Sequence, residues 1–263
     1  MKFMNNENLI KSFESGSVQT VVLRNAIPSI ISMIMVLVYN LADTFFIGQT
    51  HNNYMVAAVS LATPVFLIYM ALGSLFGLGG SSVISRVLGE GKYDYAKKVS
   101  SFCMWSCVIV GVPFTLFLWA FLDDVCFIMG ASNETLKYTK TYLGIVAGSG
   151  VFSMIAFCYS NIIRAEGRSN TAMIGMLIGN ILNVILDPIF ILTLKLNVAG
   201  AAIATVIGNL VGALFYIFYF YTGKSALSIR VRDFSVREGI CKGVLAIGIP
   251  VSLASLLMSI FLK

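Results

Sequence analysis

The chain has 263 residues, of which 58% are hydrophobic and 11% charged, with a mean hydropathy of +0.88. Ordinary soluble domains carry about 25% charged residues, so the composition excludes a soluble globular class and indicates a polytopic membrane protein. The formal net charge of +6 reads as basic loops beside anionic headgroups, which excludes nucleic acid as the partner it implies.

Residues 1–20, MKFMNNENLIKSFESGSVQT, are polar and weakly amphipathic. They lack the short apolar core and small-residue cleavage site of a signal peptide, so they read as a cytoplasmic N-terminal segment. Apolar runs of about twenty residues then predict spanning helices at 21–47, 54–78, 97–122, 138–162, 170–193, 199–221 and 243–262. Residues 21–222 form a six-helix transmembrane lobe, 223–242 a basic cytoplasmic linker, and 243–263 the first helix of a second lobe. With the N-terminus inside, fourteen Lys and Arg residues fall in inner segments and three (Lys137, Lys140, Lys195) in outer ones. That asymmetry predicts a multi-pass protein with its N-terminus in the cytoplasm.

Four glycine pairs (Gly73 and Gly77, Gly144 and Gly148, Gly175 and Gly179, Gly208 and Gly212) recur at the four-residue spacing that lets helix backbones approach in lipid. The five cysteines read as packing residues. Cys103 and Cys107 share a helix face, but no further ligand accompanies them. GEGKYDYAKK reads as an inner turn into the third span, since it lacks the strand-turn-helix context of a phosphate loop. The twelve methionines read as adaptable packing.

Span seven repeats span one. NAIPSIISMIM and IGIPVSLASLLMSI both place Ile-Pro near the start of an apolar helix, and Pro28 and Pro250 stand 222 residues apart. Six helices between the two starts make the copies parallel, as in transporters built from repeats. A complete duplicate would continue beyond residue 263, so the chain is expected to be a fragment or a truncated product.

Two of the twelve acidic residues lie within apolar runs: Asp43 in VLVYNLADTFFIG and Asp187 in GNILNVILDPIF. A carboxylate at the centre of a span costs about 2.5–3.5 kcal/mol on insertion scales, so such residues read as functional. Tyr39 sits one turn before Asp43, and Asn180, Asn183 and Asp187 share one face. Pro188 is expected to disfavour helical geometry at Asp187 and free a carbonyl one turn earlier. These oxygens suit either a small hard cation or a proton shared by two close carboxylates.

The stretches IPSIISMIMVLVYNLADTFFIG, GEGKYDYAKK, IIRAEGRSN, GNILNVILDPIFI and NVAGAAIATVIGN resemble the first half of a multidrug and toxic compound extrusion (MATE) transporter of the prokaryotic branch. The resemblance covers residues 20 to 262. It implies an all-α bundle, namely the six-helix N-lobe of a MATE-type fold of the MOP superfamily, plus a seventh helix. It further implies no enzymatic activity and no cofactor beyond a coupling ion, H⁺ or Na⁺. The expected activity is export of cationic drugs or other organic cations across the cytoplasmic membrane. On the matching motifs, Asp43, Asn183, Asp187 and Thr205 would bind the proton or Na⁺, with Tyr39, Asn180 and Tyr142 lining the lobe and Pro28 as the helix hinge. The expected partners are small organic cations, membrane lipids and the missing C-terminal lobe. A lipid-linked saccharide flippase of the same superfamily and an inactive truncated remnant are the alternatives. The absence of Lys and Arg from mid-span favours a cationic substrate over an anionic one. A seven-helix receptor fits the count but not the repeat or the N-in orientation.

Overall fold

The computed structural model describes residues 18–223, 225–237 and 239–261, and every regular element within them is helical. Most of the predicted N-terminal segment, residues 1–17, and the last two residues lie outside the described residues. In chain order the helices are α1 (Val18–Gly48), α2 (Asn53–Gly89), α3 (Tyr93–Ala120), α4 (Leu122–Ile128), α5 (Asn133–Gly148), α6 (Gly150–Ala165), α7 (Ser169–Pro188), α8 (Asn197–Tyr221) and α9 (Ile240–Phe261). A π turn, Ile189–Thr193, prolongs α7, and a single 3₁₀ turn, Val231–Asp233, interrupts the linker before α9.

Five helices (α1, α2, α3, α7 with its π turn, and α8) are long and apolar enough to cross a membrane, and α5 with α6 makes a sixth span if the bent pair is counted as one. The fourth predicted span, 138–162, is therefore not one straight helix: it bends by 53° at Ser149. The Ser149 hydroxyl turns back to the Val146 carbonyl at 2.9 Å. Gly150 beyond it is packed directly under the Tyr69 ring, where a β-carbon has no room. The second helix also runs past its predicted end at 78, on to Gly89. The short helix α4 lies partly beyond the predicted third span. The seventh predicted span is α9, whose apolar stretch runs from Ile240 to Ala254.

Local signals fix the helix ends. Asn52 caps α2 by accepting from the Tyr54 amide at 3.0 Å, and Ser132 with Thr135 forms a capping box at α5. The GEGK and AEGR stretches are helix stops. Gly91 (φ 73°) and Gly167 (φ 82°) take the left-handed conformation. The following amides of Lys92 and Arg168 then return to Val87 and Ile163 at 2.9 and 3.1 Å.

The core is built around α2, which packs against α6, α9, α3 and α5. A β-carbon at Gly73 would stand 2.9 Å from the Met154 carbonyl oxygen, and one at Gly77 2.9 Å from the Cys158 α-carbon, so α2 and α6 touch backbone to backbone. On the other side of α2, Gly79 abuts the Val244 carbonyl and Gly248 of α9 abuts that of Leu75. The predicted pair Gly144 and Gly148 serves differently. Both face side chains, those of Leu122 and Trp119 at 3.4 Å, rather than a helix backbone. All five cysteines are free thiols, and Cys103, Cys107, Cys126 and Cys158 are fully buried.

The turns after α2 and α6 and the linker after α8 gather at one end of the bundle. There the Ser101 hydroxyl donates to the Arg230 carbonyl at 2.6 Å, and Phe102 stacks on Phe234. Leu227 and Ile229 of the linker are buried. This linker end carries most of the described Lys and Arg residues, while Lys137, Lys140 and Lys195 sit at the other end.

Candidate functional site

Helix α1 packs chiefly on α7, and α7 on α8. The α7–α8 crossing is set by Gly179 and Gly208, each of whose missing β-carbons would lie 2.7 Å from the other's carbonyl oxygen. One turn beyond Gly179, Asn183 donates through Nδ2 to Thr205 Oγ1 at 3.4 Å, and Thr205 donates to the Ala201 carbonyl at 3.0 Å.

Asp187 follows one turn later and is fully buried, and Asp43 of α1 is 9% exposed. The two carboxylates are close enough for their charges to interact. Tyr39 and Tyr142 lie within electrostatic reach of both, and Tyr142 also contacts the Thr205 side chain. Both carboxylate oxygens of Asp187, Oδ1 of Asp43 and Oδ1 of Asn183 are buried without a hydrogen-bond partner. A buried carboxylate without donors is strongly disfavoured as a bare anion. Such a group holds a proton or ligates a cation, and the surrounding donor set of carboxylate, amide and hydroxyl oxygens fits a small hard cation. No group of three or more His, Cys, Asp or Glu side chains among the described residues could hold a metal, so any ion here must rely on neutral oxygens beside the two acids.

The helix does not break at Asp187, contrary to the expectation drawn from Pro188. Asp187 stays in α7. The chain absorbs the proline just beyond it as a π turn, in which the Leu194 amide reaches the Ile189 carbonyl at 2.8 Å. The helix thus continues through the proline and widens only beyond it, without unwinding.

A cleft of about 330 Å³ opens beside the acids, between α1, α2, α6, α7 and α8. Tyr39, Asn180, Asn183 and Thr205 line it, while Asp43 and Asp187 lie one turn beyond Tyr39 and Asn183 and do not. The structure thus brings together six predicted residues (Tyr39, Asp43, Tyr142, Asn183, Asp187 and Thr205) and places Asn180 on the cavity wall. Pro28 stands apart. It is buried in α1 some fifteen residues before Asp43, about 22 Å along the helix. The Ser32 hydroxyl donates to the Pro28 carbonyl at 2.8 Å.

Sequence reasoning missed Asn209, Phe66, Met70 and Met176, which also line the cavity. An amide within an apolar run, as at Asn209, was a usable signal. The aromatic and methionine positions gave none, because a cavity wall and a core have the same composition.

The MatE family model matches residues 28–189. The multidrug export protein MepA of Staphylococcus haemolyticus (strain JCSC1435) is 37% identical over 248 residues, an alignment covering 94% of this chain and 55% of MepA. A crystal structure described as MATE in the straight conformation superposes with a TM-score of 0.88 at 33% identity, covering 95% of this chain and 56% of that one. Another, described as MATE in the bent conformation, gives 0.85 at 34% identity, covering 93% and 55%. The chain belongs to the MatE family. Its all-α bundle is the MATE-type fold of the MOP superfamily, and it is a multi-pass membrane protein. It spans about half the length of the curated relatives it matches.

Proposed function

We propose that this chain forms the first lobe of a cation-coupled exporter of organic cations in the cytoplasmic membrane, with its N-terminus inside. The observation that carries this reading is the buried pair Asp43 and Asp187, three of whose four carboxylate oxygens are buried without a donor one turn beyond the end of an open cavity. H⁺ or Na⁺ neutralises the pair, Asn183 and Thr205 complete the oxygen set, and the change in charge alters the packing of α1 on α7. Pro28 is the point about which α1 rearranges. Binding of the coupling ion and of the organic cation are then mutually exclusive, as exchange requires. The MepA relatives, named as multidrug export proteins, support a drug-like cargo. The Ile-Pro repeat supports reading α9 as the first helix of a second lobe, which would close the open side of α1.

The test is exchange in proteoliposomes holding the full chain together with a second lobe. An inward H⁺ or Na⁺ gradient should drive efflux of preloaded tetraphenylphosphonium, and Asp43→Asn or Asp187→Asn should abolish the coupling. Gradient-driven movement that persists in both variants refutes the mechanism.

A further inference from the structure

Helix α1 meets α7 through polar groups at two levels. Away from the linker end, Asp43 lies within electrostatic reach of Asp187. At the linker end, the Ser169 hydroxyl donates to Asn25 Oδ1 at 2.6 Å. Asp43 stands eighteen residues beyond Asn25, and Asp187 eighteen beyond Ser169. The two helices therefore run parallel and in register between these contacts, over about 27 Å at the helical rise.

The α7 side of the Asn25 contact is firmly held. Ser169 is buried and opens α7 directly after the Gly167 turn. The Tyr216 hydroxyl of α8 donates to the Ala172 carbonyl, in the first turn of α7, at 2.7 Å, and the Tyr216 ring lies over Gly175. On α1, by contrast, the section just past Asn25 is weak. Pro28 supplies no amide proton to the turn before it. The Ser29 and Ser32 hydroxyls donate back to the Asn25 and Pro28 carbonyls at 3.0 and 2.8 Å, a pattern that bends helices. The Asn25–Ser169 bond thus fixes the last firm residue before the weak section. A bend in α1 shortens the line between its ends, while α7, packed on α8, keeps its length. With one end fixed, the whole displacement appears beyond Pro28. With neither end fixed, α1 tilts as a rod and no bend forms.

We propose that Asn25 and Ser169 are positioning residues for exchange, clamping the start of α1 to α7 so that a change at Asp43 and Asp187 bends α1 at Pro28 instead of tilting it whole. The clamp rests on reading Pro28 as the hinge and adds the fixed point that a hinge needs.

Distance measurements on the full chain together with a second lobe, in lipid nanodiscs, test it. Spin labels at the exposed Leu23 and Leu41 read the bend of α1, and labels at Leu23 and the exposed Ile174 of α7 read the clamp. Adding H⁺ or Na⁺ to the native protein should change the Leu23–Leu41 distance and leave Leu23–Ile174 fixed. In Ser169→Ala the pattern should reverse. Gradient-driven exchange should slow about tenfold, the worth of one hydrogen bond, at native affinity for the coupling ion, which also shows that the variant is folded. Asn25→Ala should do at least as much, and Ser169→Ala should add nothing to it, because both act through one bond. A role in stability alone would lower the unfolding temperature and leave the response of the distances to the ion intact. A native pattern of distances in Ser169→Ala overturns the clamp and spares the hinge, as do additive effects of the two substitutions. A Leu23–Leu41 distance that ignores the ion in the native protein overturns the hinge and the clamp together.

Discussion

Gly179 and Gly208 hold α7 and α8 at backbone contact, and the site depends on that contact. A β-carbon on either would stand 2.7 Å from the other's carbonyl oxygen, and one on Gly208 would also stand 3.2 Å from the Asn183 β-carbon. Neither backbone can yield without parting the helices. Gly208→Ala should therefore destabilise the lobe by about 1–3 kcal/mol, as overpacking does, and displace Asn183 from Thr205. The check is thermal unfolding in detergent beside coupling-ion affinity. Both should fall in Gly208→Ala. Gly212→Ala, whose β-carbon would meet only the Gly175 oxygen at an ordinary 3.6 Å, should change stability much less.

Thr205 links α8 to the acids through one hydroxyl, which takes the Asn183 donor and gives its own proton to Ala201. Thr205→Val keeps the shape and removes both bonds, leaving the Asn183 amide without an acceptor. A cost of about 1–3 kcal/mol is expected for that buried orphan. Thr205→Ser should restore most of the loss. Ion-dependent protection of the site against thiol labelling, measured across the three proteins, separates these outcomes. Equal ion affinity in Thr205→Val would remove Thr205 from the ion site.

Glu166 gives the linker end a pH dependence of known sign. Burial raises its carboxyl above the usual 4.5, and the Ala226 amide, the Ser225 hydroxyl, Arg168 and the Tyr219 hydroxyl oppose that rise only in part. An acid whose folded value is raised binds its proton more tightly when the linker is docked. That stabilisation is full below 4.5 and is lost as pH rises through the raised value. Hydrogen exchange at residues 225–230 should therefore quicken as pH rises through that window, after correction for intrinsic rates. Glu166→Gln should flatten the profile, and a slope unchanged in that variant would place the titration elsewhere.

The elements that sequence predicts well and badly divide along physical lines. Asp43 and Asp187 are legible because a carboxylate in an apolar run has a cost that packing alone does not repay. Asn183, on the face of Asp187, follows from helical spacing. Thr205 and Tyr142 are different: neither is anomalous in its own span, and only the resemblance to a known family singles them out. The bend at Ser149 is invisible to hydropathy, since both arms are apolar and the cause is a ring, Tyr69, from another helix. Pro188 misleads in the opposite way. Its lost donor predicts a break, yet the helix runs through it and widens to a π turn only beyond.

Pro28 offers a test that sets stability against motion. It lies inside α1 and has no amide proton, so the Arg24 carbonyl one turn earlier lacks its helical donor. Most of α1 beyond it is exposed along one side, with Met33 at 73% and Leu41 at 72%, so few contacts resist a change in its path. Pro28→Ala supplies a donor at position 28, closes that hydrogen bond and removes the ring clash. In a helix interior the proline penalty is about 3 kcal/mol. The variant should therefore unfold at a higher temperature while its coupled exchange slows, since the easy bending point is gone. Asp43 and Asp187 keep their surroundings, so equilibrium affinity for the coupling ion should change little. Spin-label distances across α1 with and without H⁺ or Na⁺ read the outcome. A native-like change in distance in Pro28→Ala, with native-like exchange, would exclude Pro28 as the hinge and leave rigid-body movement of α1 against α7 as the way the site is relayed.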